Sequence, residues 1–164
     1  MVNGAGSFAL QTAKAYETEV TGVDSTNKLE AMLAIGADHV NDYTKEDFTN
    51  NGQRYDMILD VAAYHSTSDY RRPLSPNGTY VSTDGSTLRI FETLLLEKLF
   101  SLTGIKQLSI LAHKSNRRLD GLIELFETGK VVPLIDKRFP LSEVAEDFQH
   151  SEDSHVKGKI VITI

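Results

Sequence analysis

The sequence contains no cysteine. That excludes disulfides, thiolate zinc sites and cysteine nucleophiles, and it suits a reducing compartment such as the cytoplasm. Proline is scarce, with 4 residues beside 11 glycines, so neither a collagen-like nor a low-complexity chain is encoded. Basic charge is in the minority: 17 basic against 23 acidic side chains leave a formal net charge of −6. That is the wrong sign for coating a nucleic-acid backbone, and the Arg71-Arg72 and Arg117-Arg118 pairs do not reverse it. Long apolar runs are also missing. The longest are a few residues, as in Leu94-Leu95-Leu96, where a spanning helix needs about 20, so no membrane association is expected. Met1-Val2-Asn3-Gly4 is followed by neither a basic region nor an apolar core, and no secretory leader is expected there. No G-x-S-x-G elbow or H-E-x-x-H motif occurs, which removes the usual signatures of a serine hydrolase and a zinc peptidase. His150 and His155 bracket Glu152 and Asp153 without a third imidazole, so no metal site is assigned.

What remains is a chain of 164 residues, 40% hydrophobic, long enough to bury about two-thirds of the surface its unfolded form exposes. Its pattern is alternation of helix and strand. Helical spacing of Phe8, Ala9, Thr12 and Ala13 predicts a helix from Ser7, as its cap, to about Tyr16. Glu19 to Val23 reads as a short strand. Thr26 as N-cap, Leu29, Met32 and Leu33 on one face and Gly36 as a stop predict a second helix. His39 to Asn41 is a brief strand, and Asp56 to Val61 is an apolar run of the kind buried on both faces. A polar helix over Ser66 to Arg72, a strand over Thr79 to Ser82, a longer helix over Leu88 to Leu102 and a strand over Gln107 to Ala112 follow. Asn77-Gly78-Thr79 fits the glycosylation triplet, but Pro76-Asn77-Gly78 reads more simply as the turn feeding the strand. Asn116 to Thr128 is the clearest amphipathic helix, with Leu119, Leu122, Ile123 and Phe126 on one side and Gly129 after it. Strands joined by connections too long for hairpins imply a doubly wound parallel α/β sheet. Past Gly129 the composition changes: Val131 to Arg138 is β-like, Pro140 interrupts, Ser142 to Gln149 looks helical and Lys159 to Ile164 is strand-like. The expected division is therefore residues 1–130 and residues 131–164.

Chemistry points to the N-terminus. Gly4-Ala5-Gly6-Ser7-Phe8-Ala9 fits G-x-G-x-x-A ahead of a helix, and Asp24 lies about twenty residues on at a strand end. Glycines admit a pyrophosphate to backbone amides, the helix N-terminus supplies partial positive charge, and the strand end reaches a ribose. A glycine-rich turn with no ligand is the plainer reading of the same residues, and the α/β context favours the dinucleotide.

With the neighbouring blocks added, the chain resembles the coenzyme domain of the medium-chain dehydrogenase/reductases, in their zinc-independent quinone-oxidoreductase-like branch. The resemblance is carried in order by Asn3 to Lys14, Val20-Thr21-Gly22-Val23, Gly36 to Val40, Asp42-Tyr43, Tyr55 to Asp60, Leu74 to Val81 and Gly158-Lys159-Ile160-Val161. It implies a Rossmann-type domain lacking most of its first strand, and a C-terminal segment that returns to a substrate domain absent from this chain. By the same resemblance Asn3, Gly4, Ala5 and Gly6 hold the pyrophosphate, Asn3 standing where the family usually has glycine. Lys28 and Tyr43, with Ser25 beside them, would grip the 2′-phosphate of NADP, a cation and two hydroxyls being what a dianion needs. Asp24 argues for NAD, because a carboxylate there accepts from ribose hydroxyls and repels a phosphate; NADP is favoured and NAD kept as the alternative. Asp60 and Asp84 close strands, and the backbone around Val61, Asp84 and Gly85 is placed near the cofactor. The implied activity is hydride transfer to a quinone, enone or carbonyl, with no catalytic residue assigned and the chain inactive alone. The rival reading is a non-catalytic interaction or oligomerisation module. A homodimer through the strand at Gln107 to Ala112 is expected, since Leu108, Ile110 and Leu111 make an uncovered edge costly.

Overall fold

The structure is a computed structural model that describes residues 4–61, 65–83, 107–110, 119–143 and 158–164. The chain divides into two compact units, Met1–Thr44 with Arg118–Ile164, and Lys45–Arg117.

In the first unit, helix α1 spans Gly4–Ala15 and buries Ser7, Leu10 and Gln11, three positions on one helical face. It starts earlier than its sequence suggests. Ser7 does not cap it: the side chain is 1% exposed inside the helix, and its hydroxyl donates back to the Gly4 carbonyl at 3.2 Å. Strand β1 (Thr21–Asp24) pairs in parallel with β2 (His39–Asp42), from Thr21 opposite His39 to Asp24 opposite Asp42. Between them lie a 3-10 turn at Thr26–Lys28 and helix α2 (Leu29–Ala34). Gly36, with φ +102°, ends α2 as the sequence predicts, its amide returning to Leu33 O at 3.0 Å. Leu10, Met32 and Ala37 form the core, packed by Val20, Leu29, Val40 and Leu134. Asp38 ties this layer together. It accepts from Lys14 Nζ at 2.7 Å and from the Val20 amide at 2.7 Å, and the Lys14 bond foremost holds its carboxyl below the usual range.

Helix α4 (Leu119–Glu127) ends at Gly129, φ +69°, as predicted. Its Phe126 ring meets Phe8 of α1 edge-on at 5.6 Å. Gln11 clamps the segment that follows, donating to Val132 O at 2.9 Å and accepting from Val132 N at 2.8 Å. Strand β6 (Ile135–Pro140) pairs in parallel with β7 (Lys159–Thr163). Pro140 does not interrupt β6 but closes it, opposite Thr163. Of the helix read over Ser142 to Gln149, a 3-10 turn at Leu141–Glu143 is described, and the remainder lies outside the described residues.

In the second unit β3 (Tyr55–Asp60), β4 (Leu74–Ser82) and β5 (Gln107–Ile110) make a parallel sheet in that order, with helix α3 (Thr67–Arg71) between β3 and β4. Ser66 caps α3, accepting from Asp69 N at 3.4 Å. Pro76-Asn77-Gly78 is a bulge inside β4 and not a turn before it: the register steps from Tyr55–Leu74 to Met57–Thr79. Tyr80 is the centre of this unit, 1% exposed and stacked on Tyr70 at 4.9 Å. Its hydroxyl donates to Asp60 Oδ2 at 2.8 Å, and burial first, then that bond, pushes the phenol far above its ordinary value. One expectation fails here. Only one face of β3 is covered among the described residues, Ile58 and Asp60 being buried while Met57 is 65% exposed. The helix read over Leu88 to Leu102 and the end of the strand at Leu111-Ala112 lie outside the described residues. Every described strand pair is parallel, the signature of an α/β chain with crossover helices. No helix among the described residues is long and apolar enough to cross a membrane.

Candidate functional site

Two clusters in the first unit carry charge that the local sequence does not balance. The first is the start of α1. Gly4, Ala5 and Gly6 form its opening turn, where helix amides and the macrodipole concentrate partial positive charge, and no acidic residue stands in that turn. Lys159, the first residue of β7, reaches the same place. The end of the Lys159 side chain lies against Gly4, and its nitrogen lies 5.6 Å over the Phe8 ring. A cation at the positive end of a helix is repelled by it, and an anion bound between them relieves both. Asn3 lies outside the described residues.

The second cluster sits where β1 and β2 end. The β1–β2 pairing continues past the strands, with Tyr43 N donating to Asp24 O at 3.2 Å. Asp24 is 1% exposed, and its carboxylate accepts from the Ser25 amide at 2.8 Å. The Ser25 hydroxyl donates to Asn27 Oδ1 at 2.7 Å. Thr26 does not act as the N-cap that its position suggests. Its hydroxyl donates instead to Asp42, which also takes the Thr44 hydroxyl at 2.6 Å and the Thr44 amide at 3.0 Å. The 3-10 turn held in this way places Lys28 in the interior, only 6% exposed. No side chain or carbonyl among the described residues accepts from its ammonium.

The structure thus brings together Asp24, Ser25, Lys28 and Tyr43, and groups Gly4, Ala5 and Gly6 with Lys159. Val61 belongs to the second unit and is half-buried just past β3; Asp84 and Gly85 lie outside the described residues. Lys159 was not singled out by sequence reasoning. Its visible signal was a lysine after Gly158 at the start of the last strand, which says nothing of the helix it meets.

A sequence profile described as zinc-binding dehydrogenase matches residues 35–162. The chain belongs to this family, the medium-chain dehydrogenase/reductases. Among its relatives, NAD(P)H oxidoreductase RTN4IP1, mitochondrial, of Bos taurus is 32% identical over 98% of this chain and 46% of its own length. Quinone-oxidoreductase QR1, chloroplastic, of Triphysaria versicolor is 30% identical over 97% of this chain and 49% of its own. The solved quinone oxidoreductase of Coxiella burnetii shares the fold, with a TM-score of 0.79 and 24% identity over 99% of this chain and 50% of that one. The chain therefore spans about half the length of the relatives it matches, and it shares the Rossmann-type fold of medium-chain dehydrogenase/reductases. The family description names zinc. The sequence has no cysteine, and among the described residues no three histidine, aspartate or glutamate side chains cluster to hold an ion.

Proposed function

We propose that this chain is the nicotinamide-cofactor-binding part of a zinc-independent, NADP-dependent oxidoreductase that reduces a quinone, enone or carbonyl. One observation carries the reading: Lys28, only 6% exposed and with no acceptor for its ammonium among the described residues, stands just past the end of β1. When bound, the cofactor supplies the hydride. The chain's own residues bind and orient it. Lys28 pairs with the 2′-phosphate, Tyr43 and Ser25 add hydroxyls at the same strand ends, and the Gly4-Ala5-Gly6 turn with Lys159 holds the pyrophosphate. Asp24 is engaged by its own turn, which leaves less of its carboxylate for the ribose hydroxyls of NAD. Residues 131–164 are assigned to the substrate domain in this reading, and the absence of cysteine supports a reducing compartment, here the cytoplasm.

Lys28→Met keeps the apolar stem and removes the charge, so it tests the assignment with little change in packing. A charge-assisted contact contributes about 1.5–3 kcal/mol, so calorimetry should show NADPH weakened about tenfold or more and NADH nearly unchanged. Equal weakening of both cofactors, or tighter binding of NADH to the unmodified chain, overturns the NADP assignment and makes Asp24 the ribose acceptor. If neither cofactor binds, the rival reading of a non-catalytic association module stands.

Among the described residues β5 stands at the edge of its sheet, which supports the proposed homodimer, because an edge strand whose sequence carries Leu108 and Ile110 offers its ladder to a second copy. Sedimentation at micromolar concentration is expected to show a dimer that Leu108→Lys dissociates. A monomer unaffected by that change counts against it.

A further inference from the structure

The second unit has a cavity of about 170 Å3 between the loop that precedes β3 and the end of α3, lined by Thr49, Asn50, Gln53, Arg54 and Arg72 among others. Two guanidiniums share its wall. Arg54 Nη1 donates to the carbonyls of Arg72 and Leu74, and Arg72 Nη1 donates to Asn50 Oδ1. All of these acceptors are neutral. Neither guanidinium is paired with a carboxylate among the described residues. The acidic groups nearby are committed elsewhere. Asp47 takes the Thr49 hydroxyl at 2.7 Å, the Thr49 amide at 2.9 Å and the Asn50 Nδ2 group, and the Thr49 hydroxyl foremost keeps its carboxyl below the ordinary range. Asp69 takes the Ser66 hydroxyl at 2.6 Å, which foremost lowers its carboxyl; the charge of Arg72 adds to this, but the two do not form an ion pair.

These bonds have a direction. Because Asp47 holds the Asn50 amide by its nitrogen, the oxygen is left for Arg72, and the backbone at Arg72 and Leu74 fixes Arg54 in turn. Each guanidinium has five N–H donors, and the bonds above use one nitrogen of each. Two like charges are therefore steered by neutral acceptors to one cavity, with donors to spare and no carboxylate paired with either among the described residues. The planar fork of arginine matches the oxygens of a phosphate, and the volume takes one with a few waters.

We propose that this cavity binds a phosphate-class oxyanion, as the free ion or as the phosphoryl group of a small phosphomonoester, held between Arg54 and Arg72. The site belongs to the second unit and does not depend on the cofactor reading. Because both arginines are solvent-exposed, affinity is expected in the millimolar range and weakened by salt.

The test is calorimetric titration of the full chain with inorganic phosphate at constant ionic strength, against chloride as the control. Phosphate also suits the clusters at Lys28 and Lys159, so the Lys28→Met/Lys159→Met double variant is titrated in parallel to remove them. The expected result is binding that persists in that double variant and weakens about tenfold or more with Arg54→Gln or Arg72→Gln. Arg72→Lys, which keeps the charge but loses the fork, should be weakened less, and it guards against a glutamine variant that fails to fold. NADPH affinity should be unchanged in both arginine variants. Glycerol phosphate binding at least as tightly as the free ion identifies a phosphomonoester, and weaker binding identifies the ion; both support the site. No heat beyond the chloride control, loss of binding in the double lysine variant, or indifference to all the arginine changes overturns it.

Discussion

Supplied with NADPH and a quinone acceptor, this chain by itself is expected to oxidise the cofactor no faster than its heat-inactivated control. Hydride transfer needs the acceptor held within about 3–3.5 Å of the donor in a near-attack arrangement, and such positioning supplies about 7–11 kcal/mol of barrier lowering. At 1.36 kcal/mol per decade, losing even the lower figure slows turnover by about five decades. The chain spans about half the length of its relatives. The residues assigned above, Lys28, Tyr43 and Lys159 among them, bind cofactor and none is placed against a substrate. Cofactor binding with no turnover is therefore the expected pair of results, read by calorimetry and by absorbance of NADPH. Acceptor-dependent oxidation clearly above the inactivated control would show that substrate is positioned by this chain alone.

Replacing Tyr80 is expected to be among the most damaging changes to folding. Tyr80→Ala removes a side chain that is 1% exposed and stacked on Tyr70 at 4.9 Å. Truncating a buried aromatic to alanine costs about 3–5 kcal/mol through lost transfer energy and the cavity left behind. Tyr80→Phe separates packing from polarity. It keeps the ring but leaves Asp60, 6% exposed, without the hydroxyl that donates to Oδ2 at 2.8 Å. Losing a partner to a buried acceptor costs about 1–3 kcal/mol, so the phenylalanine variant should fall between wild type and alanine. Denaturant midpoints for the three proteins check this order. A Tyr80→Phe protein as stable as wild type would mean that Asp60 does not depend on the phenol.

The elements most legible in the sequence were those whose causes are local. The spacing of apolar residues in α1 and α4 and the glycines at positions 36 and 129 act within a turn or two of chain, so their pattern survives in one dimension. Other signals were local but misassigned by their neighbours in space. Ser7 and Thr26 both look like helix caps, yet one hydroxyl turns back into its own helix and the other crosses to the Asp42 carboxylate on the next strand. Pro76-Asn77-Gly78 has the composition of a turn, and only pairing with β3 makes it a bulge. Pro140 looks like a break and ends a strand, because pairing with β7 sets the register there.

The candidate site divides in the same way. Sequence order alone determined the glycine turn opening a helix, Asp24 at a strand end, the positions of Ser25, Lys28 and Tyr43 after parallel strands, and through them the family. Spacing carries those features because each lies within one strand–helix unit. Tertiary structure decided which charges lack a partner. Lys28 reads as an ordinary helix charge until the Thr26–Asp42 bond and the β1–β2 ladder show it buried, and Lys159 meets Gly4 only because the end of the chain folds back onto its beginning. The same clamp is visible where Gln11 holds Val132, 121 residues away. Burial and charge balance depend on every chain segment that reaches a point, and those segments are brought together by packing rather than by proximity in sequence.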